Sequence, residues 1–301
     1  MHRVVTHRNA LVALHAAVAL FGLAALFGQW VTLPATLIVL GRTTIAAVTL
    51  AIVAYARREP LHAVDRRLLA NGAVLALHWV SFFAAVKLAS VAIALLGYAM
   101  FPVFVLVLSL GPATRVTRRD CATAVLATLG LVAIVPALSW SSEATRGLAL
   151  GVVSGFTFAW LAVRNRTFVA TRPATAIALW QNVGAALCLV PVAFVAAPST
   201  RSPSLADLAL LVVLGVVCTG VAHTLFIASM RRLSAHTASA VASLEPVYGI
   251  ALAAWLLHQI PDVRTIAGGA LIVAAALAAS QRSLGEARAV SVASGEARIG
   301  Q

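Results

Sequence analysis

Glu245 stands inside an apolar run, next to a proline. The stretch Met230–Tyr248 reads MRRLSAHTASAVASLEPVY and continues as GIALAAWLLH. Residues 235–257 make a run of 23 residues, enough to cross a hydrocarbon core of about 30 Å as a helix. Glu245 is the one acidic residue this reading places away from the ends of an apolar run. An ionisable group in a membrane is costly, so function is its first explanation. Desolvation favours the protonated form of a carboxyl, which suits a proton carrier; a carboxylate there suits a substrate ammonium. The alternative is a structural carboxyl bonded to a hydroxyl, or to backbone freed by Pro246, which removes a helical donor.

Arg42 is the other charge away from the ends of a run. It suits a substrate carboxylate, or else bonds neighbouring carbonyls or reaches towards the interface. His15, His78 and His223 lie in apolar runs without metal-ligand spacing, so no metal is expected. His78, beside Trp79, and His223 are placed to face a watery cavity or to pack as satisfied polar groups. Tyr98, Trp160 and Trp180 lie where a cavity wall is plausible, Trp160 best of all in SGFTFAW, although aromatics in membrane helices often serve as packing or anchors. With Gln181, these reasons give an expected substrate or proton pathway of Glu245, His78, His223, Trp160, Tyr98, Arg42 and Gln181. Pro102 and Pro246 are the expected points of helix loosening. Walker, GxGxxG, HExxH, GxSxG and paired-carboxylate patterns are missing from the sequence. Neither catalysis nor a cofactor is expected.

These residues need helices to position them. Hydrophobic residues make up 61% of the 301, charged residues 10%, and mean hydropathy is +0.98, which a soluble domain does not show. The +13 charge comes from arginines in short loops, without a basic face or interleaved aromatics, so nucleic-acid binding is set aside. Cys121, Cys188 and Cys218 read as small buried hydrophobes, not disulfides. Breaks in the apolar pattern give ten spans: 10–31, 33–56, 67–88, 90–111, 119–138, 146–164, 173–196, 206–229, 235–257 and 263–281. The first is read as a membrane helix, not a signal peptide. Strands are not expected, since long apolar runs without alternation suit helices. Residues 1–9 read as a cytoplasmic N-terminus, and 282–301 as a disordered cytoplasmic tail. Of the 22 Lys and Arg, 17 fall on one side of this arrangement and four, Lys87, Arg146, Arg201 and Arg264, on the other, leaving Arg42 within a span. That alternation predicts ten spans with both termini in the cytoplasm.

The pattern around Glu245 occurs twice. KLASVAIALLGYAMFPVF (Lys87–Phe104) lies 144 positions earlier, matching Ser90 to Ser234, Ala94 to Ala238 and Pro102 to Pro246, with Phe101 at the place of Glu245. LPATLIVLGRTTIAAVTL from Leu33 and RPATAIALWQNVGAALCL from Arg172 align at an offset of 139, setting Arg42 opposite Gln181. Five spans per half is odd, so the halves, 10–138 and 146–281, are expected to enter from opposite sides. RRLSAHTASAVASLEPVYGIALAAWLL and its earlier parallel resemble the hallmark of the EamA-like branch of the drug/metabolite transporter superfamily, over about residues 10–281. The resemblance implies an all-α membrane protein of ten transmembrane helices in two inverted five-helix repeats, around a cavity opening alternately to each side. One position departs from the pattern: His258 stands where the family commonly has an acid.

The expected function is therefore that of a secondary transporter in the inner membrane, exporting amino acids or related small metabolites by alternating access. Alternatives are export of a drug, cation or lipid-linked substrate, or a membrane scaffold or sensor that moves no solute. The expected partners are a small-molecule substrate and the lipid bilayer, with the chain a monomer or weak homodimer.

Overall fold

Lipid offers the backbone no hydrogen bonds, so long apolar runs close their own as helices. The structure is a computed structural model describing residues 7–59, 65–109, 117–134, 139–196 and 202–278. The helices are α1 (His7–Trp30), α2 (Ala35–Ala56), α3 (Arg66–Leu88), α4 (Val91–Leu108), α5 (Arg118–Ile134), α6 (Glu143–Phe168), α7 (Ala174–Ala196), α8 (Leu205–Ser229), α9 (Ala235–Ala242 and Glu245–Leu256) and α10 (Val263–Ala278). No strand occurs among the described residues. Seven of these helices, α1–α4 and α6–α8, are long and apolar enough to cross a membrane, and α5, α9 and α10 contain shorter apolar stretches. The predicted terminal segments 1–6 and 282–301, and the span ends at 110–111, 135–138 and 279–281, lie outside the described residues.

Local chemistry sets the helix starts. Asp65 caps α3 by accepting from the Arg67 amide at 2.7 Å, and Ser90 caps α4 through the Ile93 amide at 3.2 Å. At α8, Ser204 and Asp207 form a reciprocal capping box. Two predicted spans, those expected to loosen near Pro102 and Pro246, are broken into half-helices. α4 halts at Ala99–Met100 and α9 at Ser243–Leu244, each just before a half-helix with proline in its first turn. The breaks are 144 positions apart, the spacing of the repeat.

The helix contacts come in matching pairs. α3 packs on α6 and α8 on α1; α4 packs on α6 and α9 on α1; α3 packs on α7 and α8 on α2. α2 meets α7, and α4 meets α9. Glycine allows the closest approach: a Cβ on Gly72 of α3 would lie 2.5 Å from the Gln181 carbonyl oxygen of α7. The outward faces carry exposed aliphatics such as Val12, Ile52 and Leu77, as lipid-facing surfaces do. The cysteines depart from expectation. Only Cys218 is buried; Cys121 and Cys188 are exposed, because their helix faces turn outward from the bundle.

Both ends of the bundle are tied. At one end Lys87 Nζ donates to the Val31 carbonyl at 2.9 Å, and Asp207 accepts from the Thr32 amide at 2.8 Å and the Thr32 hydroxyl at 3.0 Å. At the opposite end Arg231 donates to the Arg172 carbonyl at 3.1 Å, and Asp65 bridges the Arg172 guanidinium at 2.6 Å. In each case an acid at the start of a helix and a base near a helix end hold a turn between two other helices.

Candidate functional site

Between these ties lies a small cavity lined by Arg42, His78, Trp79, Tyr98, His223 and Glu245, together with Phe21, Ala24, Phe82 and Phe158. Its space for a water-sized sphere is about 20 Å³, room for about one water molecule and not for a metabolite. The α9 break places Glu245 on its wall. The Glu245 carboxyl hydrogen-bonds the Tyr98 hydroxyl from α4, while Oε2 has no partner among the described residues. Phe101, at Glu245's place in the first repeat, stacks on the Tyr98 ring at 5.9 Å. One break thus presents a carboxyl and the other a hydrocarbon ring.

Arg42 approaches from α2. Its guanidinium lies over the Trp79 ring, 4.0 Å from the centroid, a favourable cation–π placement. Nε donates to Thr219 Oγ1 at 2.8 Å, and Nη2 reaches the Cys218 carbonyl at 3.4 Å. These acceptors are available because α8 opens into a π-helix at Val216–Val221, a feature frequent at functional sites. The Thr219 hydroxyl donates its own proton to the Leu214 carbonyl at 2.7 Å, five residues back. No carboxylate pairs with Arg42 among the described residues. Arg42 and Glu245 thus face one cavity without bridging each other.

The two histidines differ. His78 Nδ1 lies 2.8 Å from Ser154 Oγ and 3.0 Å from the Ser154 carbonyl, and the ring stacks on Phe158 at 4.8 Å. His223 meets Trp79 edge-on at 5.7 Å, and neither of its ring nitrogens has a hydrogen-bond partner among the described residues. Buried polar atoms are normally satisfied, so a water or solute in the cavity is the natural partner for His223.

Of the predicted pathway residues, the structure brings together Glu245, His78, His223, Tyr98 and Arg42, with Pro246 just beyond the break. It does not bring Trp160 or Gln181. Trp160 is 42% exposed on the outside of the bundle, because it lies two positions beyond Phe158, about 200° round the helix. Gln181 is buried between α6 and α7, its Nε2 donating to Asn165 Oδ1 at 2.6 Å. Trp180 and His15 also stand off the cavity wall, His15 on an exposed face. Sequence reasoning missed Thr219, Ser154 and the aromatic wall. It also missed Asp207, a second buried acid, which SPSLAD signals as a capping box. A larger hollow of about 430 Å³ between α9 and α10 is aliphatic apart from Thr265 and offers little to fix a polar solute.

Residues 145–281 match the family model described as the EamA-like transporter family. This part of the chain is similar to that family. The EamA-like transporters form part of the drug/metabolite transporter superfamily. A solved crystal structure, 20% identical in sequence, superposes with a TM-score of 0.68 over 91% of this chain and 98% of its own. That similarity speaks for the fold. No curated protein matches the chain.

Proposed function

We propose that the chain is a secondary transporter that exports an amino acid or related small metabolite across the inner membrane by alternating access. The observation that carries this reading is the shared cavity: Glu245 and Arg42 both line it and do not pair. Once the cavity widens in the transport cycle, the two groups suit a zwitterion, its ammonium towards Glu245 and its carboxylate towards Arg42. The aromatic lining excludes bulk water and strengthens both contacts.

The proposed frame is ten membrane helices in two inverted five-helix repeats, 10–138 and 146–281, with both termini in the cytoplasm. Exchanging α1–α4 with α6–α9 maps the matched helix contacts described above onto one another, and the paired breaks at Ala99–Met100 and Ser243–Leu244 obey the same exchange. The family match, 145–281, spans the whole of the proposed second repeat. The 17-to-4 distribution of cationic residues supports the orientation. Both ends are tied, and the cavity between them has room for about one water. Export requires each tie to open in turn while the other holds.

Purified protein in proteoliposomes should accumulate or exchange at least one radiolabelled solute from a panel of amino acids and related metabolites. Correctly folded protein that moves none of them, while Arg42→Gln and Glu245→Gln leave its thermal response to every solute unchanged, would sink the proposal.

A further inference from the structure

The end of the bundle tied by Asp65 and Arg172 contains a second hollow, separate from the central cavity. It measures about 380 Å³ and lies between the α6–α7 turn and the α8–α9 turn. Arg166 and Arg172 line it from one turn, Arg231 and Arg232 from the other. A single acid answers them, since Asp65 bridges Arg172. Among the described residues, Arg166, Arg231 and Arg232 pair with no carboxylate. Arg231 spends one bond on the Arg172 carbonyl, which leaves the remaining donors of its guanidinium available.

Guanidinium groups gathered round one hollow repel each other until an anion sits among them. Their planar forks match phosphate oxygens two at a time. The hollow also stands at the ends of apolar helices, and at the ends of membrane-spanning helices basic pockets select anionic lipids. We propose that this hollow binds a phosphoryl group, carried by an anionic phospholipid headgroup or by free phosphate. A group bound there joins the α6–α7 turn to the α8–α9 turn and holds that end closed. The site does not depend on the identity of the transported solute.

The test is thermal unfolding of full-length protein in uncharged detergent at constant ionic strength. Phosphatidylglycerol is compared with phosphatidylcholine, and sodium phosphate with sodium chloride. In the wild type, phosphatidylglycerol or phosphate should raise the melting temperature by several degrees beyond its control, since a ligand stabilises the state it binds. Arg166→Gln with Arg232→Gln, both outside the Asp65 bridge, should lose at least half of that rise. A response to phosphatidylglycerol alone assigns the headgroup as the source, and a response to phosphate alone assigns the free ion. Equal responses to anion and control in both arms, or an undiminished rise in the double variant, overturn the site. If the double variant does not fold, native mass spectrometry of the wild type decides. Preferential retention of phosphatidylglycerol over phosphatidylcholine, or of phosphate over chloride, supports the site, and equal retention in both comparisons overturns it.

Discussion

Asp65 and Arg172 stand 2.6 Å apart and join the start of α3 to the turn between α6 and α7. The Arg67 amide, then the Arg172 guanidinium, hold the Asp65 carboxyl below the usual carboxylate range, against an opposing desolvation effect. A lowered folded value means that this contribution to stability is complete above the unfolded carboxyl range, about 4, and fades as pH falls through the lower folded value. Melting temperature measured from pH 7 down to pH 3 should therefore fall less steeply for Asp65→Asn than for wild type. Superimposable acid limbs would show that the bridge contributes nothing.

Glu245 and Tyr98 share a hydrogen bond, so two substitutions separate charge from packing. Glu245→Gln keeps size and hydrogen-bonding capacity but cannot exchange a proton. It should lower solute flux at least tenfold, equivalent to about 1.4 kcal/mol at the barrier, whereas Tyr98→Phe should retain most of the flux. Equal losses in the two variants, measured by counterflow, would make the hydroxyl–carboxyl contact structural.

Thr219 gives Arg42 its strongest hydrogen bond, Nε to Oγ1 at 2.8 Å. Thr219→Val keeps the branched shape and removes the acceptor. The loss of a bond to a charged group should lower stability by roughly 1.5–3 kcal/mol, read by thermal or denaturant unfolding in detergent. A change under about 0.5 kcal/mol would mean that the Trp79 ring and the Cys218 carbonyl suffice for Arg42.

Gly72 and Gly220 should respond differently to the same methyl group. At Gly72 a Cβ meets three backbone atoms of α7, at 2.5, 2.7 and 2.8 Å; at Gly220 the neighbour within reach is the Gly215 carbonyl oxygen at 3.4 Å. Gly72→Ala must push α3 from α7, costing about 1–3 kcal/mol or more, while Gly220→Ala should be tolerated. Detergent-solubilised melting curves check both, and equal effects would contradict the described packing.

His258 ends α9 with φ at 54°, left-handed backbone that glycine adopts freely. The Gln259 amide closes the turn onto the Ala253 carbonyl at 3.2 Å. His258→Gly should stabilise the chain by roughly 0.5–1 kcal/mol, the left-handed cost relieved less glycine's greater unfolded freedom. A fall in melting temperature would show that the imidazole supports the turn by a contact of its own.

Composition and run length made the helices legible, and the offset of 144 placed both breaks through their prolines. Glu245, Arg42, His78, His223 and Tyr98 were readable because a charged or polar group in an apolar run has few bland explanations. Trp160 misled because a rich local sequence says nothing of rotation about the helix axis. Thr219 was hidden for a related reason: nothing in VVCTGV marks a π-turn in place of an α-turn. The Asp65–Arg172 and Asp207–Thr32 ties join residues more than 100 positions apart, beyond the reach of any local pattern.

The π-turn at Val216–Val221 sets the phase of everything after it in α8. A π-turn holds more residues than an α-turn, so the helix leaves it rotated relative to where it entered. Upstream, Leu211 and Gly215 seat against Gly41 and Ile45 of α2; downstream, Phe226 meets Phe21 of α1. Deleting one residue, Val217 for instance, would restore a regular ladder and turn the downstream half by about 100°. His223 would swing off the cavity and Phe226 off α1, with every remaining side chain chemically intact. The segment acts as a phase shifter, letting one helix face two partners that a regular α-helix would address out of step.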